Sequence, residues 1–118
     1  MAAADDHDGY LRASYAANRA MCEASGNPFL NRLVFLLARQ TLRYARPGLS
    51  TTKRRQQSAK NWRKVLAAMQ SGDAAVAEAA AEQLARDSRD TAVRLLTDAQ
   101  RSEARTDAER APAPAQPP

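Results

Sequence analysis

Cys22, Ser25 and His7 carry side chains of types that can catalyse reactions: a thiol, a hydroxyl and an imidazole. A nucleophile needs a base beside it, and acid–base catalysis needs a partner that tunes the group. His7 is the single histidine and precedes the first predicted helix, so it supplies no base to the folded region. Cys22 follows the apolar Met21 and is typical of a small hydrophobic residue. We therefore expect no enzyme activity and no catalytic residues.

Basic side chains suggest a second kind of chemistry, the binding of anions. The net charge is +5, and no Asp or Glu occurs between Ala24 and Gly72. A block of one sign is typical of chains that bind nucleic acid, an acidic partner or an anionic ligand, although solvated helix faces give the same pattern. Trp62 is the one aromatic residue between Lys53 and Lys64. The candidate contacts are Lys53, Arg54, Arg55, Lys60, Arg63 and Lys64.

The elements that carry these side chains are predicted to be helices. Glycine is scarce, alanine is abundant, and apolar residues recur at intervals of three and four. The predicted helices are Asp8–Ala24, Pro28 to about Ala45, Ala59–Ser71 and Ala74 to about Ala99. Residues 46–57 form a basic, polar connector, for which helix from Thr51 onward is an open alternative. Asn27 and Ser58 are the expected N-caps of the second and third helices. The fold class is therefore all-α, an antiparallel bundle of about four helices with short loops.

The chain divides into one small domain with a polar segment at each end. We expect a disordered leader over residues 1–8, a helical domain over residues 9–99 and a flexible Ala/Pro-rich tail over residues 100–118. A single cysteine excludes an intrachain disulfide. The acidic start is not a signal peptide, and no apolar run approaches the ~20 residues that cross a bilayer. These features predict a cytoplasmic protein that does not insert into membranes.

The second predicted helix is apolar on more than one side. Leu30, Leu33, Val34 and Leu37 form its main stripe, which Phe29 and Leu36 widen. A small domain buries only ~60% of its unfolded surface, so it gains most from packing against another chain. We therefore expect a homodimer, or a partner chain that covers this helix.

Two local signatures connect the chain to a known family. The first is A-S-G-N-P-F-L over residues 24–30, preceded by Glu23. The second comprises Ser58, Val65, Ala68, Gly72-Asp73 and Ala77. Their order and spacing resemble the FCD domain, the C-terminal effector-binding domain of GntR-type, FadR-subfamily transcription regulators. The resemblance spans residues 10–96 and implies a partial FCD-like bundle that senses a ligand and dimerises.

The resemblance also implies positions for a metal site. Family members often bind a divalent metal through one Asp and three His, and the metal helps to bind a small carboxylate. Here the Asp position falls on Ser14 and the His positions fall on Asn18, Trp62 and Leu84, with Gln83 adjacent to the last. None of these is an ordinary metal ligand, so we expect no metal and no other cofactor. Either Trp62 and Leu84 fill the former metal space, or Trp62 borders a metal-free pocket with Ser14 and Asn18 as polar groups.

The resemblance has implications for partners as well. The expected effector is a small carboxylate or an acyl compound. The family places a winged helix-turn-helix ahead of the FCD domain, whereas Met1 lies only about a dozen residues before Ser14, the Asp position of the family's metal site. We therefore expect DNA to be reached only indirectly, through a separate winged-helix chain. The alternative function is a basic helical module that binds nucleic acid or an acidic partner through residues 53–64.

Overall fold

The computed structural model describes residues 6–115, and all regular structure within that range is helical. The helices are α1 (His7–Ala24), α2 (Pro28–Gly48), α3 (Thr52–Ser71) and α4 (Ala74–Arg110). This architecture confirms the predicted all-α bundle. Residues 1–5 of the predicted leader and residues 116–118 of the predicted tail lie outside the described range. No helix in the described range is long and apolar enough to span a membrane.

Helices α1 and α2 form an antiparallel pair joined by a tight turn. The side chain of Asn27 accepts the amide of Leu30 at 3.1 Å, and Pro28 occupies the first turn of α2, as predicted. Gly26 has a φ of 66°, a left-handed conformation that glycine adopts without strain. At the opposite end of the pair, the His7 ring lies 3.0 Å from the carbonyl of Arg46, and the Arg46 guanidinium pairs with Asp8. The start of α1 is thereby attached to the end of α2.

The end of α2 differs from the sequence prediction, which placed it near Ala45. The helix continues to Gly48 although Pro47 cannot donate a backbone hydrogen bond. The amide of Leu49 closes the last turn by donating to the carbonyl of Ala45 at 3.1 Å. Arg54 then donates to the carbonyl of Gly48 at 3.3 Å. Because the terminal carbonyls find partners, the proline does not end the helix where it occurs.

The start of α3 is a second correction. Thr51, not Ser58, is the N-cap, and its hydroxyl accepts the amide of Arg54 at 3.1 Å. Ser58 is instead buried within the helix, where it accepts a hydrogen bond from the Tyr10 hydroxyl at 2.9 Å. The choice of Ser58 as N-cap was wrong, whereas the open alternative of helix from Thr51 onward is the one that the structure has. Residues 51–57 are polar without an apolar stripe, so their capping residue was the one local sign of helix.

Helix α4 is longer than predicted and ends at Arg110 rather than near Ala99. From Asp98 to Arg110 every side chain is exposed, so this segment packs against nothing in the described chain. Its residues are mostly Ala, Arg, Glu and Gln, which favour helix without tertiary support. The proline at residue 112 accounts for the end, because the residue before a proline is disfavoured in the α conformation.

The core lies where the other three helices meet the N-terminal half of α4. Helices α3 and α4 make the most extensive pairing, and α2 also contacts α4. Trp62, Val65 and Leu84 form the buried cluster, against which Ala17 and Met21 of α1 pack. Small residues at the contacts allow the helices to approach closely. This cluster determines the positions of the side chains described next.

Candidate functional site

A cavity of about 620 Å³ lies where the four helices converge. Ser14 and Asn18 of α1, Trp62 of α3 and Leu84 of α4 all line it. These are the four positions to which the sequence resemblance assigns the metal ligands. They come from three helices and are separated by up to 70 residues in the chain, yet they border one space.

Trp62 and Leu84 belong to both the core and the cavity wall. Trp62 is 2% exposed and packs in the cluster with Val65 and Leu84. The remaining wall is largely apolar and includes Met21, Ala92 and Leu96. The cavity is therefore a mainly apolar space with a few polar groups at defined places, as in most small-molecule sites.

Several polar groups of the wall bond to their own helices. The amide nitrogen of Asn18 donates to the carbonyl of Ser14 at 3.2 Å. Thr91 donates to the carbonyl of Asp87 at 2.9 Å, and Ser88 donates to the carbonyl of Leu84 at 3.0 Å. These bonds use the two hydroxyl donors and one of the two N–H donors of Asn18, whose second N–H and side-chain carbonyl are left for a ligand.

Two guanidinium groups border the same cavity. Arg54 of α3 uses its Nε to hold the carbonyl of Gly48 at 3.3 Å. Arg89 of α4 pairs with its neighbour Asp90 at 2.9 Å. No carboxylate lines this cavity within the described residues. Its electrostatic character therefore favours an anionic or neutral occupant over a cation.

Comparison with known proteins identifies the family to which this helical domain belongs. A model of the FCD domain matches residues 1–87 of the 118-residue chain. The chain belongs to the FCD-domain family. FCD domains are the effector-binding, regulatory domains at the C-terminal side of GntR-type transcription regulators and are not an enzyme family. Searches of curated proteins and of solved structures returned no match.

The family's metal does not fit the residues of this FCD domain. A hydroxyl, a carboxamide, an indole and an aliphatic side chain occupy the four positions, and the last two have no donor atom for a metal. Nowhere in residues 6–115 do three or more His, Cys, Asp or Glu side chains form a group that could hold a metal ion. Gln83, the adjacent position on α4, points its amide to Asp87 at 2.7 Å.

The basic residues of α3 do not form the single surface that their spacing suggested. Arg55 is 5% exposed and donates to the carbonyls of Leu49 and Ser50 at 2.9 and 3.0 Å. It serves the turn between α2 and α3, so little of its side chain is open to an external anion. Arg54 is half-buried at the cavity. The exposed cations among the six are Lys53, Lys60, Arg63 and Lys64.

A polar network between α3 and α4 was not anticipated from the sequence. Asn61 is buried and donates to Asp87 at 2.6 Å, and Gln57 donates to the Asn61 carbonyl at 3.2 Å. The one sign of this network in the sequence is Asn61, a polar residue beside Trp62 on the buried side of α3. The network aligns α3 and α4 and so holds Trp62 opposite Leu84.

Proposed function

We propose that this chain is the effector-sensing and dimerisation module of a GntR-type transcription regulator, and that it binds its effector without a metal ion. One observation carries the proposal: the four family ligand positions border a single cavity, but Ser14, Asn18, Trp62 and Leu84 occupy them. The position of the site is retained while its chemistry differs. Trp62 and Leu84 take up apolar volume, and the space beside them receives the effector.

The proposed effector is a small carboxylate or an acyl compound. Arg54 borders the cavity, and a guanidinium offers several donors to a carboxylate in charge-assisted hydrogen bonds. Ser14 and Asn18 add polar groups on the opposite helix. The apolar side chains of Met21 and Leu96 would contact the hydrocarbon part of an acyl chain.

Titration with acetate, citrate and octanoate tests the sensing function. Trp62 is the single tryptophan and lines the cavity, so its fluorescence reports binding, with calorimetry as a second measurement. Arg54→Ala should weaken binding at least ~10-fold, because a charge-assisted hydrogen bond contributes about 1.5–3 kcal/mol. Arg63→Ala, an exposed cation outside the cavity, should leave binding unchanged. No heat and no thermal shift with any of these anions would contradict the proposal.

The dimerisation part of the proposal rests on the outer face of α2. Phe29 is 89% exposed and Leu33 is 55% exposed, and Leu36 and Leu37 are exposed beside them. Monomeric proteins rarely leave a contiguous apolar patch of this kind in water. FCD domains typically dimerise, so we propose that a second copy of the chain covers this face.

Light scattering tests the dimer. The wild-type chain should have the mass of two copies, and Leu33→Glu should shift it toward the monomer by placing a charge in the apolar interface. Arg101→Glu makes a larger charge change at an exposed position of α4, away from the outer face of α2, so it should leave the mass unchanged. A wild-type monomer that melts cooperatively would refute the dimer. A dimer that persists in Leu33→Glu would place the interface elsewhere.

We further propose that the winged helix that contacts DNA lies outside residues 6–115. A winged helix requires a β wing, and residues 6–115 contain no strand. Mixing this chain with a winged-helix protein encoded beside it should give a complex in gel filtration. Sequence-specific binding of operator DNA by this chain alone would contradict the assignment.

A second candidate function has one observation in its favour. Helix α3 has no acidic residue, and Lys53, Lys60, Arg63 and Lys64 are all exposed on it. This face would bind nucleic acid through phosphate contacts, with an affinity that falls steeply as salt rises. An electrophoretic shift at low salt that is lost in Lys60→Ala/Lys64→Ala, but retained in Arg39→Ala, would support it.

A further inference from the structure

The outer face of α2 combines apolar side chains with arginines. Phe29, Leu33 and Leu36 are exposed on it, and Arg32 and Arg39 lie beside them at helical intervals of three and four residues. Helix α2 contains no Asp or Glu, and neither of these arginines forms an ion pair within residues 6–115. These five residues are called the α2 outer face. A partner that covers this face has to supply apolar contact and negative charge together.

A second α2 helix does not meet this requirement. In a contact that is symmetric about a twofold axis, the same surface patch meets itself. Every charged side chain of α2 is an arginine, so the outer faces of two α2 helices would bring like charges together. Like charges that face each other across an interface disfavour the complex strongly. The proposed dimer therefore needs a different element of the second copy against the α2 outer face.

The first three turns of α4 carry the complementary charge. They contain two acidic residues, Glu78 and Glu82, and no Lys or Arg. Both glutamates are exposed, together with Ala75 and Ala79, on the side of α4 that points away from the core. Glu78 forms no ion pair in the described chain, and Glu82 has one exposed pair, with Arg86 at 3.1 Å. Ala75, Glu78, Ala79 and Glu82 are called the α4 outer face.

We propose that the α2 outer face of each copy packs on the α4 outer face of the other copy. Helices α2 and α4 contact each other within one chain, and both begin at the same end of the antiparallel bundle. A twofold axis parallel to the bundle therefore produces this contact twice, in two identical halves. The apolar side chains of α2 cover the two alanines, and its two arginines meet the two glutamates. The inference rests on the proposed dimer and specifies its interface.

Charge reversal on each face tests the pairing. In Arg32→Glu/Arg39→Glu both contacts bring acid against acid, and in Glu78→Arg/Glu82→Arg both bring base against base. The dimer dissociation constant of each variant should therefore rise at least about 100-fold in analytical ultracentrifugation. An equimolar mixture of the two variants restores opposite charges in both contacts, so it should sediment as a heterodimer.

The control and the contrary outcomes separate this interface from dimerisation itself. Arg101→Glu/Arg105→Glu reverses two exposed charges near the end of α4 and should leave the dissociation constant unchanged. A Glu78→Arg/Glu82→Arg dimer as tight as wild type, or a mixture that stays monomeric, would overturn the proposal. A wild-type chain that is monomeric would instead refute the proposed dimer.

Paramagnetic NMR locates the contact without reversing a charge. A nitroxide is attached to Phe35→Cys, which is exposed beside the α2 outer face, in a Cys22→Ala background. This chain is mixed with nitrogen-15-labelled wild-type chain, so that the broadening seen is between copies. The amides of residues 75–82 should be broadened most. Strongest broadening on α2 of the labelled copy would show that two α2 helices face each other and would overturn the proposal.

Discussion

Replacing Trp62 by alanine tests whether the tryptophan at a family ligand position has become part of the core. The ring is 2% exposed and packs with Val65 and Leu84. Truncation of a buried tryptophan to alanine costs about 3–5 kcal/mol, from lost apolar burial and the space left behind. Small domains have unfolding free energies of about 5–15 kcal/mol, so this single change should remove a large part of the stability.

Urea denaturation followed by far-ultraviolet circular dichroism measures the effect, since the substitution removes the only tryptophan fluorescence. With an m-value of about 2 kcal/mol/M, the midpoint should fall by about 2 M. Leu66→Ala is the matched control: Leu66 lies on the same helix but is 48% exposed, so it should shift the midpoint by less than about 0.5 M. Equal shifts for the two variants would refute the packing of Trp62 in the core.

Two further predictions concern the ends of α2. Arg55→Ala should lower the free energy of unfolding by about 2–4 kcal/mol in urea denaturation, because it removes a buried side chain and its part-buried hydrogen bonds to the carbonyls of Leu49 and Ser50, whereas exposed Lys53→Ala should change it by less than about 0.5 kcal/mol. The hydrogen bond from Arg46 holds the pKa of Asp8 below its usual value, so the contribution of Asp8 to stability is present above the unfolded pKa and is lost as the pH falls through the folded one. Thermal melts from pH 6 to pH 2 should accordingly show a smaller acid-induced loss in Asp8→Asn than in wild type; identical losses would contradict this linkage.

Much of the fold was predictable because its signals are local. Asn27-Pro28 marks the start of α2, and Gly72 marks the end of α3 with a φ of 76°. The errors occurred where tertiary contacts replace local signals. The start of α3 at Thr52 and the continuation of α2 through Pro47 both depend on Arg54 and Arg55, whose side chains reach back to the intervening turn.

The candidate site was predictable only as a set of positions. The resemblance placed Ser14, Asn18, Trp62 and Leu84 together, and the structure brings all four to one cavity. The buried side-chain oxygen of Asn31, which has no hydrogen-bond partner in residues 6–115, carried no sequence signal, because its burial depends on how closely α1 approaches α2. The spacing of residues along one helix predicts which residues share a face. Whether a polar atom between two helices is buried depends on the distance between the helices, which the spacing does not give.

If the four positions correspond to the family's metal site, restoring the ligands should restore the metal. We predict that Ser14→Asp/Asn18→His/Trp62→His/Leu84→His binds Zn²⁺ or Ni²⁺ in calorimetry, which the wild-type chain should not do. The variant loses core volume, so it is expected to be poorly folded without metal and to gain helicity when metal is added, because binding to an unformed site is coupled to folding.

The control for the restored site moves one ligand by a single residue. Gln83→His in place of Leu84→His keeps the same four ligand types, but residue 83 is exposed and turned toward Asp87, about 100° around α4 from residue 84. That variant should bind metal much more weakly. Equal binding by the two variants would mean that the histidines bind metal independently of the cavity. The four residues would then not correspond to the family's metal ligands, and the proposed effector site would lose its basis.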